Sequence, residues 1–327
     1  MTTAPLLLRP ALTVDEWRGH EGLLGATPFH AWDWLQWIAP VLDCRFVPLV
    51  AERGGQAVGV VPVLLKRRGP VHTANVVPFQ YLGPLVPLPD LRDTVRALKS
   101  WAVARRVVHL RLGFHPLAGV PAGHLAEEGL EERPDTSFLI DLRGRGAEEV
   151  FASLGRTLRQ AVRASARHGV VVRASTTDEV AAVLPAVDEE SVGERRPFTS
   201  RLAAHLPAAP PTVVPHTVLC GDRPVGICVD VDGRIAAGWV GGVFRADQRT
   251  SAYTAMVWSE IERAVSNGAE WFDLMGAPDA GIAAYKQRYH PVELPYSEWR
   301  WQAPGFSQVR DAGSLMKSVL ERAQPAP

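Results

Sequence analysis

Three stretches of this sequence place charged or reactive side chains at spacings that chemistry can use. The first is Arg156, Arg159, Arg163 and Arg167, at i, i+3, i+7 and i+11. On a helix of 3.6 residues per turn this puts four guanidinium groups on one narrow face, with Leu154, Leu158, Ala161, Val162 and Ser165 on the other side. Between Arg143 and Arg173 there are seven arginines against two acids, Glu148 and Glu149. A solvated helix face is the plain alternative, but such faces usually mix signs, and this stripe has no i+4 carboxylates. It suits a phosphate backbone. The second stretch runs from Glu194 through Arg195, Arg196 and Arg201 to His205. Arg201 and His205 are one helical turn apart, so they can meet one ligand, and a guanidinium fork fits phosphate or carboxylate; surface arginines at a Pro-bounded helix start are the plainer alternative. The third is Trp271 to His290: a buried strand, a Gly- and Pro-containing loop, then a short helix with Lys286 and Arg288. Irregular backbone between a strand and a helix is where open α/β sheets place ligands.

The elements that must position these groups follow from composition and pattern. A length of 327 residues favours two domains. Lys plus Arg and Asp plus Glu are both 35, so any polyanion site must be local. No apolar run approaches the ~20 residues that cross a bilayer. The start, Met1 to Pro10, has no basic segment and too short an apolar one for a signal peptide. Cys44, Cys220 and Cys228 are too few and too scattered for a disulfide framework or a Cys-based zinc site. These features predict a cytoplasmic chain with no metal.

The order of elements runs twice. In the first pass a Trp-rich helix (Trp32, Trp34, Trp37) is expected to be capped by Thr27, to start at Pro28 and to end near Pro40. A hairpin around Arg53 to Gln56, a helix over 91–105 and a strand from Val107 follow. In the second pass Val150 to His168 reads as a helix closed by Gly169, then a strand over 170–173 and a helix from Asp178 to Gly193. Strands over 213–220, 225–231 and 235–243, a helix over 251–267, a strand from Trp271, a short helix over 283–289 and a strand over 294–301 complete it. The predicted class is α/β (α+β): two tandem acyltransferase-like domains, each a mixed sheet flanked by helices. Their spans are expected to be 1–142 and 143–302, with the tail 303–327 packing back on the first.

Phe272-Asp273-Leu274-Met275-Gly276, then Gly281 and Tyr285-Lys286-x-x-Tyr289, resembles the Phe-Asp-Leu-Gly-Gly … Phe-Lys-x-x-Phe signature of the Fem family. These are tandem GNAT-fold transferases that move an amino acid from aminoacyl-tRNA to an amine, best known on peptidoglycan precursors. Leu158 to Val172 resembles the family's basic helix ending in Gly-Val-x-Val. Tyr81-Leu-Gly83-Pro84 resembles its Gly-Pro turn, and Glu194 to Arg201 its acceptor-binding helix. The likeness spans roughly 25 to 302. It implies no cofactor beyond aminoacyl-tRNA as co-substrate and a donor site at Arg156, Arg159, Arg163, Arg167, Tyr285, Arg288 and Tyr289. Lys286 would stabilise charge at the ester, with an acceptor site around Arg201, His205, Tyr81 and Trp37. Two departures bear on the acceptor. Relatives that act on nucleotide-linked precursors carry a Lys just after the first helix's Trp, where this chain has Leu35, Gln36 and Trp37, and His205 replaces a Tyr. A small amine or peptide of specialised metabolism is therefore expected beside the peptidoglycan precursor.

Two other classes stand against this reading. An acyl-CoA N-acyltransferase of the same fold needs a Gly-rich turn whose backbone N–H groups hold a pyrophosphate. The corresponding stretch, Val243 to Tyr253, contains no glycine, and Gln80 to Pro84 has one glycine followed by a proline that removes a donor. A non-catalytic scaffold is favoured by the absence of an obvious nucleophile–base pair. Aminolysis of an already activated ester mainly needs an oriented amine, an oxyanion stabiliser and a route for one proton.

Overall fold

The computed structural model describes residues 4–23, 25–192, 197–277 and 279–304. The first half contains β1 (Leu6–Pro10), α1 (Val14–Arg18), α2 (Trp32–Val41), β2 (Arg45–Arg53), β3 (Gln56–Arg68), β4 (Val71–Ala74), α3 (Leu88–Ala104), β5 (Val107–Gly113) and β6 (Glu131–Asp141). The second contains α4 (Ala147–Ser153), α5 (Arg156–Arg167), β7 (Val170–Ala174), α6 (Thr177–Val192), α7 (Pro197–His205), β8 (Val213–Cys220), β9 (Arg223–Val231), β10 (Ile235–Val243), α8 (Ala252–Ser266), β11 (Trp271–Gly276), α9 (Ala280–Gln287) and β12 (Val292–Gln302).

All twelve strands form one mixed sheet in the order β1-β2-β3-β4-β5-β12-β6-β11-β10-β9-β8-β7. Two neighbouring pairs are parallel, β4 with β5 and β10 with β11, and the others are antiparallel. The order reads nearly as a mirror about its centre, where the halves exchange their last strands. β12 closes the first half against β5, β6 closes the second against β11, and Val292–Arg300 of β12 runs beside Leu139–Glu131 of β6. Inward positions alternate along β9 from Ile227 to Val231. Ile227, Val229 and Val231 pack with Val180, Val183, Leu184 and Val187 of α6, while Cys228 packs with Met256 and Val257 of α8 on the opposite face. No described helix is long and apolar enough to cross a membrane.

Three local features differ from the sequence expectation. The helix expected over 150–168 is two helices. Leu154 is extended (ψ 151°) with its side chain in the core, and the Gly155 N–H donates to the Arg288 carbonyl at 3.2 Å. A Cβ at Gly155 would lie 2.9 Å from that oxygen, so the close approach requires glycine. Thr27 caps a 3-10 turn, Pro28–His30, and α2 begins only after the extended Ala31. β6 was not expected, because Glu131-Glu-Arg-Pro-Asp has the polarity of a loop; pairing with β12 orders that polar half, and β11 joins only from Ser137 to Asp141. Of the expected tail, Ala303 donates to Val108 O at 3.0 Å, and residues 305–327 lie outside the described residues, as do 193–196.

Candidate active site

The parallel pair in the second half opens into a cavity. β10 and β11 stay in register for three positions, Ile235–Ala237 against Trp271–Asp273, and then part. β10 bulges at Gly238/Val240 and continues beside β9, whereas β11 shifts between Asp273 and Gly276 and follows β6. Met275 takes φ +66° at that shift. Bulges re-aim strands in this way near ligand sites. The wedge holds a cavity of about 270 Å³, bordered by Gly238–Gly241, Tyr253 and Glu260 of α8, and Tyr285 and Lys286 of α9. On the α6 face lies a second cavity of about 300 Å³, lined by Leu184, Val187, Asp188 and Phe198. Pro78, Trp239, Val240 and Gly241 border both, so the two spaces meet at the β10 bulge.

Lys286 borders this cavity. Its Nζ donates to the carbonyls of Leu274, Met275 (3.3 Å) and Gly276 (2.7 Å), which ties the end of β11 to α9. Partial burial pushes its pKa down to about 8, against the pull of Asp273 and Asp135. Asp279 caps α9 through the Ile282 N–H at 2.9 Å. Tyr285 also borders the cavity, edge-on to Tyr253 at 5.4 Å, with the Arg288 guanidinium 5.5 Å from its ring centroid. Tyr289 does not share that exposure. It is 1% exposed, its hydroxyl meets that of Tyr285 at 2.6 Å, and its ring has no face open to a ligand, which corrects the stacking role expected of it.

Arg156, Arg163 and Arg167 are exposed on α5, and Arg159 is half-buried. Among the described residues no carboxylate pairs with any of the four, as the lack of i+4 acids implied. They are not equivalent, however. Arg159 donates to Ala152 O (2.5 Å) and Leu154 O (2.7 Å), capping α4, and Arg163 lies 5.5 Å from the Phe151 ring centroid. The break at Gly155 brings the start of α5 against Arg288 and His290, whose Nδ1 meets Ser153 O at 2.9 Å. The start of α5 and the C-terminal end of α9 therefore adjoin.

The residues expected to hold the acceptor lie behind the cavities rather than in their walls. Arg201 Nε donates to Val41 O at 2.8 Å, closing the C-terminus of α2. His205 Nδ1 meets Arg201 O at 2.8 Å, and the Trp37 indole donates to His205 O at 3.0 Å. Together they dock α7 on α2. Tyr81 is buried, and its hydroxyl donates to Ser137 Oγ (2.8 Å), which donates to Asp273 Oδ1 (2.7 Å); His115 Nε2 stands 3.4 Å from Asp273 Oδ2. Burial works to raise the Asp273 pKa, but His115, Ser137 and the Met275 N–H hold it below the ordinary value. Burial and the Asp273 charge push Tyr81 well up. This chain of side chains joins β6, β11 and the end of β5 beneath the cavity floor.

Sequence reading missed Glu260. It lies in ordinary amphipathic helix sequence, and only the fold puts its carboxyl in the cavity wall at 5% exposure. His216, Cys228 and Asp230 bring potential metal-ligand atoms within 4.8 Å of one another below it, but Asp230 Oδ2 already accepts from Arg263 at 2.6 Å, and that cation occupies the place of a metal.

Residues 152–287, which span the cavity, match the family model described as an acetyltransferase (GNAT) domain. The fold is a tandem GNAT fold. Among solved structures the chain is similar to one described as FemX, with TM-score 0.68 and 12% identity over 89% of this chain and 96% of that one. It is also similar to a tandem GNAT protein from the clavulanic acid biosynthesis pathway (TM-score 0.58, 13% identity, 92% and 99% covered). A third is the C-terminal domain of a putative lysylphosphatidylglycerol synthetase from Agrobacterium fabrum (0.56, 15%, 94% and 96%). At these identities the likeness is one of fold. No curated protein sequence matches the chain.

Proposed function

We propose that this chain is an acyltransferase that moves an amino acid from aminoacyl-tRNA to an amine, forming an amide or peptide bond in the cytoplasm. The observation that carries this reading is the junction at Gly155. α5, which carries the acid-free arginine stripe, starts at Gly155 against the Arg288 carbonyl at the end of α9, one turn from the cavity that Lys286 borders. Phosphates of an acceptor arm along Arg156, Arg163 and Arg167 would direct a terminal aminoacyl ester toward that wedge. Lys286 supplies positive charge beside the ester, while holding the 274–276 carbonyls keeps the β11 shift in shape. Tyr285 offers a stacking surface for a terminal base. The second cavity, with Phe198 and Trp239, is the place for the amine: an acceptor with an apolar body. Arg201, His205, Trp37 and Tyr81 act by shaping these walls.

The acyl-CoA alternative has one observation in its favour, the acetyltransferase model over 152–287. Against it stands the segment before α8. It folds as a 3-10 turn, Arg245–Thr250, with Ser251 at φ +62°, and offers no glycine cradle for a pyrophosphate. Purified protein given a labelled charged tRNA pool, and separately labelled acetyl-CoA, decides between them. Label should pass to amines from the tRNA pool; transfer from acetyl-CoA alone would overturn the proposal.

A further inference from the structure

We infer that Glu260 is a catalytic proton carrier, whose carboxyl gives its proton to the leaving ribose oxygen and takes one from the attacking amine. This rests on the aminoacyl-ester reading above.

The face of α8 turned to the cavity reads Tyr253, Met256, Val257, Glu260, at i, i+3, i+4 and i+7. Met256 and Val257 are what a buried face requires, Tyr253 stands exposed at the rim, and the fourth is a buried acid, whose desolvation is costly. The strand opposite makes room for it. A Cβ at Gly238 would lie 2.6 Å from Glu260 Oε2, so glycine at the β10 bulge allows the carboxyl to sit in the wall of the 270 Å³ cavity.

The groups around it favour a neutral acid. β9 presents Cys228 and Asp230. Asp230 is 1% exposed, its Oδ1 is buried without a hydrogen-bond partner, and His216 Nδ1 of β8 is 3.3 Å from its Oδ2. The single arginine here, Arg263, already serves Asp230 at 2.6 Å and Asp232 at 2.6 and 2.7 Å. One arginine facing three carboxyls pairs with Asp230 and Asp232, and Glu260 is the one it does not bridge. Burial, then the Asp230 charge, pushes Glu260 well above the usual carboxylate range. Tyr253, Tyr285 and Tyr289 around the cavity are pushed up by burial and stay neutral, so Lys286 is the cation that shares the cavity.

The step balances. The amine nitrogen bonds to the ester carbon, the bond from that carbon to the ribose oxygen breaks, and the Glu260 proton passes to that oxygen. The carboxylate then removes the extra proton from nitrogen, and Glu260 ends as it began. An alkoxide is a poor leaving group without that proton, whereas a thiolate leaves without one.

The test compares wild type with Glu260→Gln, which keeps size and neutrality but carries no transferable proton, and with Gly238→Ala, which displaces the carboxyl from the other side. On aminoacyl-tRNA, Glu260→Gln should lower kcat roughly 10²–10⁴-fold with KM and Tm nearly unchanged. Gly238→Ala should lower it in the same direction. On an aminoacyl thioester the loss should stay below about tenfold, because a thiol near pKa ~8.5 departs as the anion. At neutral pH the wild type should show a protonated-carboxyl infrared band that Glu260→Gln lacks. Full ester turnover by Glu260→Gln, or no such band, overturns the inference and leaves the aminoacyl-ester reading standing. A wild type that turns over acetyl-CoA and no aminoacyl ester overturns both.

Discussion

Each half of the sheet contains one parallel strand pair, and the two wedges beyond those pairs are treated differently. In the second half the loop leaving β10 turns away into its 3-10 turn, and the wedge holds about 270 Å³ of open space. In the first half the chain leaving β4 folds back into the wedge and fills it. Tyr81, Leu82 and Leu85 are buried there, and Leu85 exchanges backbone bonds with Val60 at 2.8 and 3.0 Å. Packing is so close that a Cβ at Gly113 would lie 1.8 Å from Gln80 O. Asn75 (φ +57°) holds the turn, accepting from Leu64 N at 2.7 Å and donating to Pro62 O (2.9 Å) and Leu82 O (3.1 Å). What is left is about 30 Å³ beside His30 and His115, where burial pushes His30 down to about 4, so that it is neutral. One topology thus holds an open cavity or a filled core according to whether the loop after the parallel pair occupies the wedge.

The largest expected effect belongs to the open wedge. Lys286→Ala should lower kcat about 10²–10³-fold, the usual cost of losing an oxyanion-type contact. Wild-type kcat should fall as pH rises through about 8, where the ammonium deprotonates. Stability should move the other way. Because the folded pKa is about 8 against an ordinary 10.5, the unfolded chain binds the extra proton between those values, and this group's contribution to stability improves as pH rises across that window. Parallel rate and denaturation curves check both signs.

In the filled wedge the effect should be on stability. Asn75→Ala removes three buried hydrogen bonds at a left-handed backbone position and should cost about 2–4 kcal/mol in denaturant unfolding, with kcat per folded molecule unchanged. A catalytic loss with normal stability would blur the distinction between the halves.

Binding changes should be smaller. Arg156→Gln with Arg163→Gln should weaken tRNA binding and reduce the salt slope by about 0.9 per lost phosphate contact, at unchanged Tm. Arg159→Gln should in addition lower Tm, because that side chain caps α4. The smallest effect concerns one acid in each half. Arg9 holds Glu16, and Arg173 holds Glu179, at about 2 against an ordinary 4.5. Both contributions are present above the ordinary value and fade as pH falls through about 2. Each should be under about 1 kcal/mol, given their exposure, in acid titration of Glu16→Gln and Glu179→Gln.

Much of this was legible in the sequence, for physical reasons. Lys286 and the arginine stripe were singled out on local signals, loop composition and helical spacing, with the resemblance of the Phe272–Tyr289 motif pointing to Lys286. The doubled element order followed from hydrophobic period and turn residues. What escaped depends on long-range pairing. β6 is polar along its first half and ordered there by β12, and the helix break at Gly155 is set by Arg288, distant in sequence. Glu260 looks like any helical acid until the fold turns it inward. Arg201, His205 and Trp37 have the right chemistry for a ligand, yet the packing of α7 on α2 engages them.

The most direct measurement is a crystal structure with an amide-linked, non-hydrolysable 3′-aminoacyl adenosine. The account predicts the aminoacyl group in the second-half wedge, between Trp239 and Lys286, with the adenine toward Tyr285 and the leaving-oxygen position within hydrogen-bond reach of Glu260. An analogue that stays out of that wedge, while CoA enters it and settles at the start of α8, would contradict it.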